Sequence, residues 1–232
     1  MLERIPNVLK AIILITPSEL EQSEIDTLLS MVSLERQERI NKFRFKRDTQ
    51  NCLLGDVLTR IEICRVTGLN NNQLEFSFNA YGKPFLVNTP SIHFNVSHAG
   101  HYVVCVIANE PVGIDIELMK PIDIKIAERF FTSDETEYIK TKDHTLRFYE
   151  IWTKKESHIK WEGKGLHKPL PSFSVFDGNE KERLIYHTVY HDSDAICHVC
   201  ATEQSVSSIR IIDIETLMKS VNHLGIDSRG IL

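Results

Sequence analysis

Val112-Gly113-Ile114-Asp115-Ile116-Glu117 alternates along its whole length. Side chains of a strand point to opposite faces in turn, so Val112, Ile114 and Ile116 share one side and Gly113, Asp115 and Glu117 the other. Two carboxylates therefore stand together on a segment whose apolar face demands burial. Farther along, Trp152-Thr153-Lys154-Lys155-Glu156-Ser157-His158-Ile159-Lys160 places Trp152, Glu156 and Lys160 at i, i+4 and i+8, one stripe of a helix. A helix packing this stripe on the acidic strand brings Asp115, Glu117, Glu156 and the Lys160 ammonium into one cleft, a donor set for a hard divalent cation. Without that packing the same residues are a solvated acidic pair and a surface Glu156–Lys160 pair worth about 0.2–0.5 kcal/mol.

Working outward, Leu9–Thr16 is nearly all apolar and predicts a central strand. Pro17 and Ser18 open a predicted helix through Val32. Ser33 caps a second, whose surface carries Arg36, Arg39, Lys42, Arg44, Lys46 and Arg47. That cationic run fits either an anionic ligand or a solvated face balanced by Glu35, Glu38 and Asp48. Gln50–Val66 has helical period and ends near Gly68. Leu74, Phe76 and Phe78 alternate as a strand. In Tyr81-Gly82-Lys83-Pro84 the proline holds Lys83 in extended backbone. Ile92–Ser97 and Tyr102–Ala108 read as a hairpin, with Ile92, Phe94 and Val96 on one face and His93, Asn95 and Ser97 on the other.

The break at Asn109-Glu110-Pro111 divides the chain into an N-terminal half, 1–108, and a C-terminal half, 109–224, followed by a flexible tail, 225–232. The second half predicts a helix over Ile122–Phe130, a capping box at Thr132 and Glu135, and a long helix over Leu146–Trp161. Strands follow at Phe173–Phe176, Arg183–Val189, Ala195–Ala201 and Ser208–Ile212, mostly antiparallel because their connections are short. A last helix spans Glu215–Leu224.

At 232 residues, 42% hydrophobic and 25% charged, the composition is that of a soluble globular protein. The formal charge of −5 is opposite to that of a dedicated nucleic-acid binder. The apolar run Ala11–Ile15 is too short to span a bilayer. Five cysteines, mostly in apolar periodic segments, argue against a disulfide framework. On a strand, Cys197 and Cys200 fall on opposite faces, against a zinc pair. The expectation is a cytoplasmic protein without nucleic-acid or membrane partners.

Leu53-Leu54-Gly55-Asp56, Tyr81-Gly82-Lys83-Pro84, His93-Phe94-Asn95-Val96-Ser97-His98, Gly113-Ile114-Asp115-Ile116-Glu117, Arg129-Phe130-Phe131, Trp152 through Lys160, and Glu162-Gly163-Lys164-Gly165-Leu166 together resemble, in order and spacing, the surfactin-synthetase-type 4'-phosphopantetheinyl transferases. The resemblance implies an α+β fold, a pseudo-dimer of two similar α/β halves, each with a small mostly antiparallel sheet and a long packed helix, and the active site between them. It implies transfer of the phosphopantetheine arm of coenzyme A to a serine of an apo peptidyl or acyl carrier domain, releasing adenosine 3',5'-bisphosphate. Asp115, Glu117 and Glu156 match the family's magnesium ligands, manganese being suited to the same oxygens. Arg36, Arg39, Lys83, Ser97 and His98 match its coenzyme A contacts. Lys160 is expected at the pyrophosphate and Glu156 as the base, with a metal-bound water or Asp115 as substitutes. Met119, Lys120, Ile122, Ile124 and Lys125 are expected to dock the carrier, although Ile122 equally suits a helix core. The internal symmetry suggests a monomer.

The chain departs from that pattern at Asn51, where an arginine stands in the family type, and at Arg36 and Arg39, which replace lysines and so change hydrogen-bond geometry. Two other readings use the same residues: a magnesium-dependent phosphoryl or pyrophosphate enzyme such as a nucleotide hydrolase, and a non-catalytic coenzyme A or carrier binding module.

Overall fold

The computed structural model describes residues 8–40, 42, 46–165, 168–176, 183–202 and 206–227. The first half runs β1 (Leu9–Ile15), α1 (Gln22–Leu29), α2 (Leu34–Ile40), α3 (Lys46–Thr67), β2 (Phe76–Phe78), β3 (Pro84–Leu86), β4 (His93–Ala99) and β5 (Tyr102–Ala108). The second continues with β6 (Val112–Leu118), α4 (Lys125–Phe130), α5 (Ser133–Thr141), α6 (His144–Glu162), β7 (Ile185–His191), β8 (Ala195–Ala201), β9 (Ser208–Asp213) and α7 (Ile214–Asp227).

Two sheets face each other. One has the order β4-β5-β1-β9 and carries α3; the other has the order β6-β8-β7 and carries α6. Leu54, Val57, Leu58 and Ile61 of α3 pack on Ile12, Leu14 and Phe94. Between the sheets, Ile13, Val104 and Val106 meet Val112, Ile114, Ile116, Cys197 and Val199. Val112, Ile114 and Ile116 are 0%, 0% and 1% exposed, as the alternation of β6 requires. Each side chain buried in this way contributes about 1.5–3 kcal/mol. This apolar face anchors β6 and leaves its acidic face to α6.

The sheet-plus-helix halves, the β4–β5 hairpin, the Ser33 cap and the Thr132–Glu135 capping box match the sequence expectations. None of the five cysteines, all of them among the described residues, forms a disulfide. Four expectations fail for identifiable reasons. β9 pairs in parallel with β1, and Leu217 and Val221 of α7 enter the α3 core, so residues 208–224 complete the first half's sheet and not the second's. Phe173–Phe176 is not a strand: the Phe173 carbonyl accepts from Lys155 Nζ at 2.5 Å and the Val175 N–H donates to Glu135 at 2.9 Å, which diverts the backbone. The first helix starts at Gln22 under a Glu21 capping box, because the Pro17 carbonyl is taken by Arg47 and Gln50. The cationic run is not one face: α2 stops at Ile40, Lys46 and Arg47 open α3, and Arg44 lies outside the described residues. Of the expected tail, 225–227 continue α7 and 228–232 are outside the described residues.

Candidate active site

Gly113 brings the acidic strand and the long helix together. A Cβ at this position would lie 2.0 Å from the Ser157 carbonyl oxygen and 2.4 Å from the Trp161 nitrogen. Both are backbone atoms, so only glycine allows the contact. Asp115 and Glu117, on the same face of β6 as Gly113, are thereby carried onto the Glu156–Lys160 stripe of α6.

Across this contact Lys160 Nζ donates to Asp115 Oδ1 at 2.6 Å and to Ser97 Oγ at 2.8 Å. Ser97 in turn donates to the same Asp115 oxygen at 2.9 Å. Ser97 comes from β4, and Asn95 on the same face of that strand accepts the Ile114 N–H at 2.9 Å. One strand of the first half is thus stitched to the acidic strand of the second.

The other Asp115 oxygen is buried and has no hydrogen-bond partner. Burial, and then the charge of Asp115, push the Glu117 carboxyl up to about 7; Lys160 and a hydrogen bond with Trp152 oppose this, and Glu156 adds to it. Glu156 is raised by burial and by Asp115, against Lys160. Three acids in electrostatic contact and one orphaned carboxylate oxygen leave a deficit of positive charge in the cleft. Among the described residues no three His, Cys, Asp or Glu side chains form a closed metal-ligand group. The orphaned Asp115 oxygen and the neighbouring Glu117 and Glu156 carboxyls are hard oxygen donors, of the kind a divalent cation takes together with waters and phosphate oxygens. The donor chemistry fits the ion.

Beside the cleft, on the other face of β4, lies a cavity of about 300 Å³ lined by Arg36, Arg39, Arg60, Phe76, Phe78 and His98 among others. Arg36 pairs with Asp56 at 2.5 Å. The Arg39 guanidinium lies 4.9 Å from the centre of the Phe78 ring and Arg60 4.6 Å from that of Phe76. Cations and aromatic faces together suit a phosphorylated heteroaromatic ligand. His98 is held below its usual range by burial, with Asp48 and Asp115 acting against this and Lys160 with it. Its chain neighbour Ser97 faces the acidic cleft from the opposite side of β4, so this strand lies between the cavity and the cleft.

Two family models match the chain: "4'-phosphopantetheinyl transferase, N-terminal" over residues 17–111 and "4'-phosphopantetheinyl transferase superfamily" over residues 111–219. The chain belongs to the 4'-phosphopantetheinyl transferase family. It is 46% identical over 159 residues to 4'-phosphopantetheinyl transferase ffp of Bacillus subtilis, covering 67% of this chain and 71% of that one. It is 45% identical over the same length and coverage to 4'-phosphopantetheinyl transferase Sfp of Bacillus subtilis strain 168. To 4'-phosphopantetheinyl transferase gsp of Aneurinibacillus migulanus the identity is 37% over 212 residues, 86% of this chain and 88% of that one. The chain is a transferase that moves phosphopantetheine from coenzyme A to a carrier-protein serine with the help of a divalent cation. Among the described residues no helix is long and apolar enough to cross a membrane.

Seen as a phosphopantetheinyl transferase, the chain assembles its expected residues unevenly. Asp115, Glu117, Glu156, Lys160 and Ser97 share the cleft, and Arg36, Arg39 and His98 share the cavity. Lys83 lies elsewhere: its ammonium donates to the carbonyls of Lys160, Val112 and Trp161 at 2.5, 3.0 and 3.3 Å. Asn51, 1% exposed, donates to the Gly100 carbonyl at 2.9 Å, so the position without the family's arginine serves the β4–β5 turn. Lys120 and Lys125 are exposed, while Ile122 and Ile124 are partly buried against the α4–α6 cluster. Sequence reasoning assigned no role to Asn95, Trp152 or Asn79. Asn95 shares parity with Ser97 and Trp152 shares the stripe of Glu156, signals present in the pattern; Asn79 carried none.

Proposed function

We propose that Asp115, Glu117 and Glu156 hold a magnesium ion beside the diphosphate of coenzyme A, whose nucleotide end enters the cavity of Arg36, Arg39 and His98. The observation that carries this is the Asp115 carboxylate, with one oxygen shared by Lys160 and Ser97 and the other buried without a partner. Manganese suits the same oxygens.

The serine oxygen of the carrier forms a bond to the pantetheine-side phosphorus while the bond to the bridging oxygen breaks, and adenosine 3',5'-bisphosphate departs. When bound, the cation withdraws charge from the diphosphate. Lys160, held by Asp115 and Ser97, neutralises charge developing on the bridging oxygen. Glu156, on the α6 stripe that faces the acidic strand, takes the serine proton directly or through water while Asp115 and Glu117 keep the cation; where Glu156 stays on the cation, Asp115 is the alternative acceptor. His98 and the two arginines bind the phosphates of the nucleotide. The arginines keep the charge of the lysines they replace but add forked geometry.

The acceptor is an apo peptidyl or acyl carrier domain, as in nonribosomal peptide synthetases, docking along Met119–Lys125, where exposed Lys120 and Lys125 attract an acidic helix. Because each half supplies part of the site, the protein acts as a monomer, in the cytoplasm where coenzyme A is at hand.

The test is to incubate the protein with an apo peptidyl carrier domain, coenzyme A and magnesium and to weigh the carrier. The expected result is a mass gain of one phosphopantetheine arm, reduced about a hundredfold or more in rate by Glu117→Ala and by Lys160→Ala. Release of adenosine 3',5'-bisphosphate with an unmodified carrier would instead mark a hydrolase, and binding without either product a module.

A further inference from the structure

The carboxy-terminal end of α6 is finished by residues of the other half. A helix leaves its last carbonyls without intrahelical partners. α6 stops at Glu162 with Gly163 in the left-handed region at φ 69°. Lys83 Nζ accepts none of the usual surface roles of a lysine: it donates to the Lys160 and Trp161 carbonyls at 2.5 and 3.3 Å. Asn79 Nδ2 donates to the Gly163 carbonyl at 2.8 Å. A cation here also complements the negative end of the helix dipole. The third Lys83 donor goes to the carbonyl of Val112, the first residue of β6, at 3.0 Å. An ammonium has three protons, so no donor is left for a ligand phosphate in this arrangement.

The two capping side chains are fixed to each other. Asn79 Oδ1 accepts the N–H groups of Tyr81 and Lys83, both at 2.9 Å, which closes the turn between β2 and β3. The same hairpin supplies Phe76, Phe78 and Pro84 to the wall of the nucleotide cavity. A single turn therefore touches the cavity wall, the start of the acidic strand and the backbone of Lys160, whose side chain binds Asp115 and Ser97.

We propose that Lys83 and Asn79 are positioning residues for the transfer step: from the nucleotide wall they set the depth and rotation of α6, and through it Lys160 and Glu156. Lys83 acts through the Lys160 backbone and not as a phosphate ligand. This rests on the roles given above to Lys160 and Glu156.

The experiment compares Lys83→Met, Lys83→Arg and Asn79→Asp with the unaltered enzyme. Asn79→Asp keeps the acceptor that closes the turn but replaces the donor to Gly163 with a carboxylate oxygen that repels that carbonyl and the helix end, so it tests the cap even if Lys83→Met fails to fold. Steady-state turnover with coenzyme A and an apo carrier, and calorimetric binding of coenzyme A without carrier, are read for each. Displacement of a reacting group by about 1 Å costs about a hundredfold. The expected result is a fall in kcat of about tenfold to a hundredfold for Lys83→Met, and a smaller fall for Asn79→Asp, while the Kd of coenzyme A stays within about threefold. Lys83→Arg, which keeps a cation at the helix end, recovers part of kcat. A Kd that rises with kcat unchanged would make Lys83 a ligand contact and overturn the proposal, as would full activity in folded Lys83→Met and Asn79→Asp. Lys160→Ala run in parallel separates the two claims: if it too is fully active, the reading of the site itself has failed.

Discussion

Lys155 and Lys160 sit on the same helix and make ion pairs of opposite character. Lys155 meets Glu135 at 2.9 Å with both side chains 0% exposed, and its remaining protons go to the carbonyls of Leu170 and Phe173. Glu135 also takes the N–H groups of Thr132 and Val175. Lys160 meets Asp115 at 2.6 Å with its own side chain 27% exposed, and Asp115 keeps an oxygen without a partner. The first pair is saturated and closes the packing of α5, α6 and the segment after them. The second is left short of positive charge. Saturation marks structure, and an incomplete set beside a cavity marks the place that receives a ligand.

The most damaging way to break this comparison is Gly113→Ala. Its methyl group would require α6 to move off β6, costing more than about 4 kcal/mol and separating Lys160 from Asp115. Urea unfolding should show the loss of stability, and turnover should vanish even in whatever fraction folds. A stable, active Gly113→Ala would mean that the close contact is not what assembles the cleft.

Lys155→Met tests the saturated pair. It strands Glu135 in the interior at a cost of about 3–5 kcal/mol, while turnover per folded molecule stays unchanged. The double variant Lys155→Met with Glu135→Leu should regain part of that stability, because an apolar pair has no charge to desolvate. Chemical denaturation of both variants, with active-site titration of the folded fraction, makes the measurement.

His198, paired in register with Asp115 across β6 and β8, belongs with the saturated groups. Thr153 Oγ1 gives its proton to the Tyr149 carbonyl, so it accepts from His198 Nδ1 at 2.7 Å, and His198 Nε2 accepts from Thr188 at 3.0 Å. The ring is neutral by construction, and burial, followed by the charge of Lys154, lowers it to about 3. A histidine depressed on folding contributes stability in full above its unfolded value near 6.5 and loses it as the pH falls toward 3. Between pH 7 and 5 the loss is about 2 kcal/mol at 1.36 kcal/mol per unit. Other groups titrate in the same window, Glu117 with the opposite sign, but they act alike in both proteins, so stability from pH 7 to 5 should change about 2 kcal/mol less favourably in the unaltered protein than in His198→Gln; equal slopes would remove His198 from the account.

Much of this was legible in the chain itself. The parity of Val112–Glu117 and the helical spacing of Trp152, Glu156 and Lys160 each specify a face, because side-chain direction follows from backbone repeat alone. The β4–β5 hairpin and the Thr132–Glu135 box are equally local. What could not be read is every partnership made across distance: β9 beside β1, Lys155 against Glu135, Phe173 drawn out of a strand by a buried ammonium, and Lys83 spent on the end of α6. Local pattern states which way a residue points, while packing states what it meets. The acids and the lysine of the cleft were thus set by the order of residues, whereas their meeting depended on a glycine small enough for a strand and a helix to touch, and on a turn from the other half capping that helix.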